Sequence, residues 1–239
     1  LNNFKPFVDG VGEKPLGANF YPADITKAEF EAMGASDKAS LYTIVRRDSS
    51  NQLVTIPYHQ FFKEQILAAD VLDKAAKLTE DKELKKYLTL RAEALRTDKY
   101  DPSDIAWLNM QNNTLDLIIG PIENYEDRLY GYKATHEAYV LVKDKVWSAK
   151  LAKYVTYLQE LQENLPVDGT YKSEKPGTDA QLNAYDVVYY AGDCNGGSKT
   201  IAVNLPNDEA IQKSVGTRRS QLKNAMRAKF DQILLPISE

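Results

Sequence analysis

Thiols and imidazoles are nearly missing from this chain. Its 239 residues include one cysteine, Cys194, and two histidines, His59 and His136. A single cysteine excludes a disulfide framework and any thiolate-rich zinc site. An excess of positive charge is missing too. The net charge is -4, which gives no support for nucleic-acid binding. No apolar run approaches the length of roughly 20 residues that spans a bilayer. No signal-peptide pattern opens the chain. The first residue is Leu1 rather than Met, so the chain reads as a processed or excised piece and the missing signal says little. Phosphate-cradling glycine motifs and the G-x-S-x-G nucleophile elbow are absent, as are internal repeats and low-complexity stretches.

What is present suffices for a core. Hydrophobic residues make up 43% of the chain. One large domain or two small ones would both fit. The pattern is organised around Asp116 to Val142. There an apolar run (Leu117, Ile118, Ile119) is broken by Gly120-Pro121. An acidic segment with Glu123, Glu126 and Asp127 around Tyr125 follows, then a turn at Gly131. A second apolar run, Tyr139 to Val142, closes the stretch. That is strand, polar corner, strand.

On either side the periodicity predicts further elements. Residues 1–24 read as irregular surface chain with interleaved aromatics. Asp24 is expected to cap a short helix, Thr26 to Met33, ending at Gly34. Leu41–Val45 and Leu53–Tyr58 read as strands joined by a polar turn. Helices are expected over Tyr58–Leu78, from Thr79 to about Leu95, and from Asp101 or Ser103 through Met110. The first presents Phe61, Ile66, Leu67, Val71, Leu72 and Ala75. Lys143–Glu163 shows the clearest helical stripe, with Trp147, Leu151, Tyr154, Val155, Leu158 and Leu161. Lys172–Gln181 reads as a polar loop, Ala184–Tyr190 as a strand, Asp193–Lys199 as a Gly-rich loop and Thr200–Leu205 as a strand. Asp208 to about Leu235 reads as an amphipathic segment interrupted at Gly216. Its basic run, including Arg218 and Arg219, reads as a solvated face. The mixed order favours α+β: a small mixed or antiparallel sheet, or partial barrel, flanked by several amphipathic helices.

Few residues could carry chemistry. His136-Glu137 begins like a metalloprotease helix motif, but Val140 stands where the second histidine belongs. His136 also falls in a strand pattern, where it is expected to pack against Tyr139 or pair locally. Cys194, in GDCNGG, reads as a loop thiol. Glu123 and Tyr125 point the same way on an extended chain. A carboxylate beside a phenol can bind an ammonium and donate to a carbonyl or oxyanion; the bland alternative, a surface corner of a hairpin, is the stronger reading of the residues alone. In Asn204-Leu205-Pro206-Asn207, Pro206 fixes the geometry of two amides suited to a bound peptide's main chain. Asn207 before Asp208-Glu209 also fits a helix N-cap.

These two clusters carry a resemblance. IGPIENYEDRLYGYKATHEAYVLVKDKVWSAK resembles the segment of the dipeptidyl peptidase III family with Ile-Glu-x-Tyr, a Gly corner and a Glu-x-Phe/Tyr-Val strand. AVNLPNDEAIQKSVGTRRSQLKNA resembles its Asn-Ile/Leu-Pro-Asn strand-to-helix segment. KPFVDGVGEKPLGANFYP and LRAEALRTDKYDPSDIAWLNM resemble its shorter bacterial members. The resemblance implies a zinc-dependent exopeptidase with two lobes, releasing dipeptides from peptide N-termini. It implies that Glu123 binds the substrate amine, that Tyr125 hydrogen-bonds the scissile carbonyl as the catalytic phenol, and that Asn204 and Asn207 hold the peptide. Ala202 and its neighbours would pair with the peptide as an added strand.

The family's zinc ligands follow the region matching Asn204 to Lys229, beyond Glu239. The expectation is therefore the substrate-binding central portion of a two-lobed metallopeptidase. Its helical part covers about 58–111 and its sheet-plus-helix part about 112–239. Zinc is expected in the intact parent and not in this chain, which is expected to hydrolyse nothing. Partners are short peptides, with no nucleic acid and no membrane, and a homodimer could form through the face left by the missing lobe. Cytoplasm is favoured, with export left open. The alternative is a non-catalytic peptide-binding or structural domain.

Overall fold

The computed structural model describes residues 16–127, 129–172, 181–195 and 199–238. The expectations for residues 1–15, 173–180 and 196–198 lie outside these.

Helix α1 (Lys27–Ala32) starts at Thr26, not Asp24. The Thr26 hydroxyl accepts from the Glu29 N–H, and the Glu29 carboxylate accepts from the Thr26 N–H, so two orphan donors are met at once. Asp24 instead binds Arg47. Strands β1 (Thr43–Arg47) and β2 (Leu53–Pro57) form a separate antiparallel ribbon. Phe20, Tyr21, Phe30 and Tyr58 pack against Ile44 and Val45 to give this ribbon its own small core.

The helix expected over Tyr58–Leu78 breaks at Phe62 into α2 (Tyr58–Phe61) and α3 (Lys63–Leu78). Its inward face differs from the expected stripe. Gln65, Ala69, Leu72 and Ala76 are buried, while Leu67 and Val71 face outward. Small residues on the contact line let α3 lie close to α4 (Lys82–Thr97), which Asp81 caps. Helix α5 (Asp101–Asn109) completes the helical layer.

Strands β3 (Leu115–Glu123) and β4 (Thr135–Lys143) form the expected antiparallel hairpin. Gly120, at φ +133°, lies against α4, where a Cβ would sit 3.4 Å from the Tyr100 ring. The corner between the strands is tied by Asp127. Its carboxylate accepts from the N–H groups of Leu129, Tyr130, Gly131 and Tyr132 and from the Tyr21 hydroxyl. Burial opposes its charge, but these donors outweigh burial and hold the carboxyl below the usual range.

The five-stranded sheet runs β3-β4-β5-β7-β6 and curls into a half-barrel. β5 is Gln181–Gly192, β6 Ala202–Leu205 and β7 Arg218–Leu222. β7 lies parallel to β5 and antiparallel to β6. A strand at Arg218–Leu222 was not expected, nor was a buried Arg218. The segment after Asp208 breaks near Gly216 as expected, but resumes as a strand. Only α8 (Glu209–Ser214) and α9 (Lys223–Lys229), with the turns that carry the chain to α10 (Leu235–Ser238), are helical. Arg218, Ser220 and Leu222 point inward.

One core joins the helical layer to the sheet, from Leu88, Leu95 and Trp107 to Ile118, Tyr139, Tyr185 and Leu222. The clearest amphipathic stripe stays outside it. The chain over Lys143–Glu163 divides into α6 (Lys145–Val155) and α7 (Leu158–Glu163), of which only Ser148 is buried. Trp147, Tyr154, Leu161 and, on the last turns, Phe230 and Ile237 are exposed. Among the described residues no helix is long and apolar enough to cross a membrane.

Candidate functional site

The end of β3 and the residues after β6 meet across the open seam of the half-barrel. Asn207 makes the join. Its amide donates to the Ile122 carbonyl at 3.1 Å and to the Glu123 carboxylate at 2.9 Å. This amide is not the helix cap: Asp208 caps α8 by accepting from the Ile211 N–H. Asn207 is thereby free to work across the seam, 84 residues from its partner in sequence. The peptide bond before Pro206 is cis.

Glu123 is half-buried. Burial pushes its carboxyl up, and the Asn207 amide pulls the other way. The exposed Tyr125 hydroxyl donates to the same carboxylate. Partial burial and the Glu123 charge push that phenol up to about 12, so it stays protonated and able to donate. The structure therefore brings together Glu123, Tyr125 and Asn207. Asn204 and Ala202 are placed differently. Both face solvent on β6, the last strand of the sheet, opposite Arg219 and Gln221 of β7. The Asn204 side chain makes no hydrogen bond among the described residues. Among the described residues β6 pairs with β7 alone, so its other edge offers main-chain groups to an extended chain.

Sequence reasoning passed over Glu137, considering it only as part of a failed zinc motif. It is buried on β4 and accepts from the Tyr139 hydroxyl at 2.9 Å. Burial raises its pKa to about 7, and the charges of Glu123, Asp193 and Glu126 add to the rise. The signal was present in the alternation of THEAYVLVK, which puts Glu137 in phase with Tyr139 and Leu141. A carboxylate at a core-phase position is a perturbed group by construction.

Because the folded value lies above the usual one, Glu137 holds a proton between pH 4.5 and about 7 that the unfolded chain has lost. Stability from this group is full below pH 4.5 and is lost as pH rises through about 7. Charge at the site changes in the opposite sense. Negative charge near Glu123 grows across pH 7, so an ammonium ligand is expected to bind more tightly at pH 7.5 than at pH 6. Glu137→Gln should flatten that rise, as calorimetric titration at several pH values would show. An equal rise in the variant would clear Glu137 of the effect.

The remaining candidates are committed elsewhere. His136 does not pack against Tyr139, because strand alternation sends it to the opposite face. Its ring lies 5.3 Å from Tyr58 and 4.9 Å from Phe62. His59 pairs with Asp98 at 2.8 Å. The Cys194 thiol is buried against the Ala191 carbonyl at 3.2 Å, and burial pushes it up, away from the thiolate a nucleophile needs. Among the described residues no group of three or more His, Cys, Asp or Glu is disposed to hold a metal ion.

Comparison with known proteins gives the chain a family. The model of peptidase family M49 matches residues 19–237. The structure of DPP III from Caldithrix abyssi superposes on 98% of this chain with a TM-score of 0.89 and 44% identity, and that of dipeptidyl-peptidase III from Corallococcus sp. strain EGB with 0.85 and 40%. In both cases the match covers 45% of the other chain. Nudix hydrolase 3 of Arabidopsis thaliana is 38% identical over 95% of this chain and 32% of its own length. Dipeptidyl peptidase 3 of Homo sapiens is 27% identical over 50% of this chain and 16% of its own length. The chain thus spans less than half the length of these relatives, and it belongs to peptidase family M49.

Proposed function

We propose that this chain forms the peptide-binding wall of a dipeptidyl peptidase III-like, zinc-dependent hydrolase that releases dipeptides from peptide N-termini. The observation that carries the reading is the join of Glu123 to Asn207 beside Tyr125, next to the open edge of β6. Glu123 takes the free amine of the substrate, and Asn207 keeps its carboxylate in place. Asn204 and the main chain around Ala202 hold the peptide as an added strand. Tyr125, protonated at neutral pH, donates to the scissile carbonyl as charge builds on its oxygen. A zinc ion in the whole enzyme would polarise that carbonyl and activate water. With both histidines engaged elsewhere, this chain by itself binds peptide without cutting it.

A peptide with a free N-terminus is expected to bind at least about tenfold more tightly than its N-acetylated counterpart, since acetylation removes a charge-assisted contact. Calorimetry on tetra-alanine and acetyl-tetra-alanine makes the comparison. Equal affinities, or no binding of either, would sink the reading.

A further inference from the structure

The sheet does not place Tyr125. Pairing of β3 with β4 shifts register between Pro121 and Glu123 and ends at the Glu123–Thr135 pair, so the phenol stands beyond the ladder. Its position depends on the corner, and the corner is fastened to the β1–β2 ribbon.

Two polar side chains make the fastening. The Tyr21 hydroxyl, from the segment before α1, donates to the Asp127 carboxylate at 3.1 Å. The same carboxylate gathers the N–H groups of Leu129 to Tyr132. Lys133, at the far end of the corner, is fully buried. Its ammonium donates to the Lys38 carbonyl at 2.8 Å, the Ser40 carbonyl at 2.9 Å and the Thr43 hydroxyl at 2.8 Å. Those three acceptors lead into β1 and open it. Beside them the Ala134 N–H donates to the Leu41 carbonyl, and the Tyr58 hydroxyl donates to the Ala134 carbonyl. Tyr130 stacks on Phe30 of α1 with ring centres 4.5 Å apart.

Burying an ammonium is costly, and the three partners of this one are neutral oxygens. Burial draws its pKa down to about 8, with Asp37 and Asp127 pulling the other way, so the charge persists at pH 7. An apolar side chain of similar length would fill the same space without that cost. What lysine adds is three donors aimed at one stretch of chain. The ribbon is itself braced from behind, where the Tyr42 ring lies 4.7 Å from Tyr100 of the main core.

We propose, on the peptide-groove reading above, that the ribbon clamps the Glu123–Tyr125 corner and that Lys133 and Tyr21 are its positioning residues. Neither meets the substrate. They hold the phenol against the Glu123 carboxylate and keep that half-buried charge from opening to water, where its contact with an ammonium would be screened.

The ratio of affinities for tetra-alanine and acetyl-tetra-alanine reads this directly. It should be at least about tenfold in the unaltered protein and about threefold or less in Lys133→Met. Affinity for the acetylated peptide should not change, since that peptide rests on the β6 edge. A lysine that served stability alone would lower the urea midpoint and leave the ratio intact. Hydrogen exchange at the Leu129 to Tyr132 amides should quicken by at least about tenfold in the variant, with the β3 and β4 amides unaffected. Tyr21→Phe keeps the ring and loses one hydroxyl, so it tests the clamp with little risk to folding; the ratio should fall by about threefold. A full ratio in both variants overturns the clamp and leaves the peptide groove standing. A ratio near one in the unaltered protein sinks the groove reading and the clamp with it, before any variant is made.

Discussion

Arg218→Met is expected to destabilise the fold by about 3–5 kcal/mol, the cost of leaving a buried charge without its partner. Arg218 is fully buried, and its guanidinium donates to Asp116 at 3.1 Å and to the Leu108 and Met110 carbonyls at the end of α5. It lies over the Trp107 ring at 4.4 Å. Asp116 also accepts from the Trp107 indole at 2.8 Å and the Tyr185 hydroxyl at 3.0 Å. One carboxylate and one guanidinium thus fasten α5, β3, β5 and β7 together. Removing the cation leaves Asp116 ionised in a dry core, and the carbonyls beyond α5 lose a donor. For a fold whose whole stability is about 5–15 kcal/mol, that is a large fraction. Urea unfolding would measure it. Asp116→Asn combined with Arg218→Met should recover part of the loss, because no buried charge then remains. A cost below about 1 kcal/mol for Arg218→Met would show that the pair is solvated.

Glu123→Gln is expected to weaken a peptide with a free N-terminus by about tenfold to a hundredfold, the range set by about 1.5–3 kcal/mol for a hydrogen bond to a charged group. The amide oxygen can still accept from Asn207, so the seam of the half-barrel should survive and the thermal midpoint should hardly move. What disappears is the negative charge facing the ammonium. The acetylated peptide gives the control: its affinity should be the same for both proteins. If the free peptide binds the variant as well as it binds the original, the amine is not held at Glu123.

Much of the local structure could be read from the chain. The short apolar runs Leu117–Ile119 and Tyr139–Val142 gave the hairpin, and Gly131 and the acidic residues gave its corner. Propensity and period act over a few residues, so they suffice where each face of an element has an evident neighbour. They failed on α3 and α6 for one reason. The stripe of largest apolar residues was taken as the buried face, but contact with α4 selected Ala69 and Ala76, and little covers Trp147 or Tyr154. Packing distance between helices is a property of two elements, and a single sequence period carries only one.

The candidate site divides in the same way. Sequence alone determined which groups could do chemistry: a carboxylate with a phenol two residues on, and two amides locked around Pro206. It also determined the α+β class, since the order of short alternating and long 3.6-period segments permits little else. Only the tertiary structure decided that Asn207 reaches Glu123 and not the start of α8, and that Arg218 answers Asp116 from 102 residues away. A polar group at a chain corner has several partners open to it. Which one it takes depends on where the curl of the sheet brings the first and last strands, and that curl is set by contacts far apart in the chain.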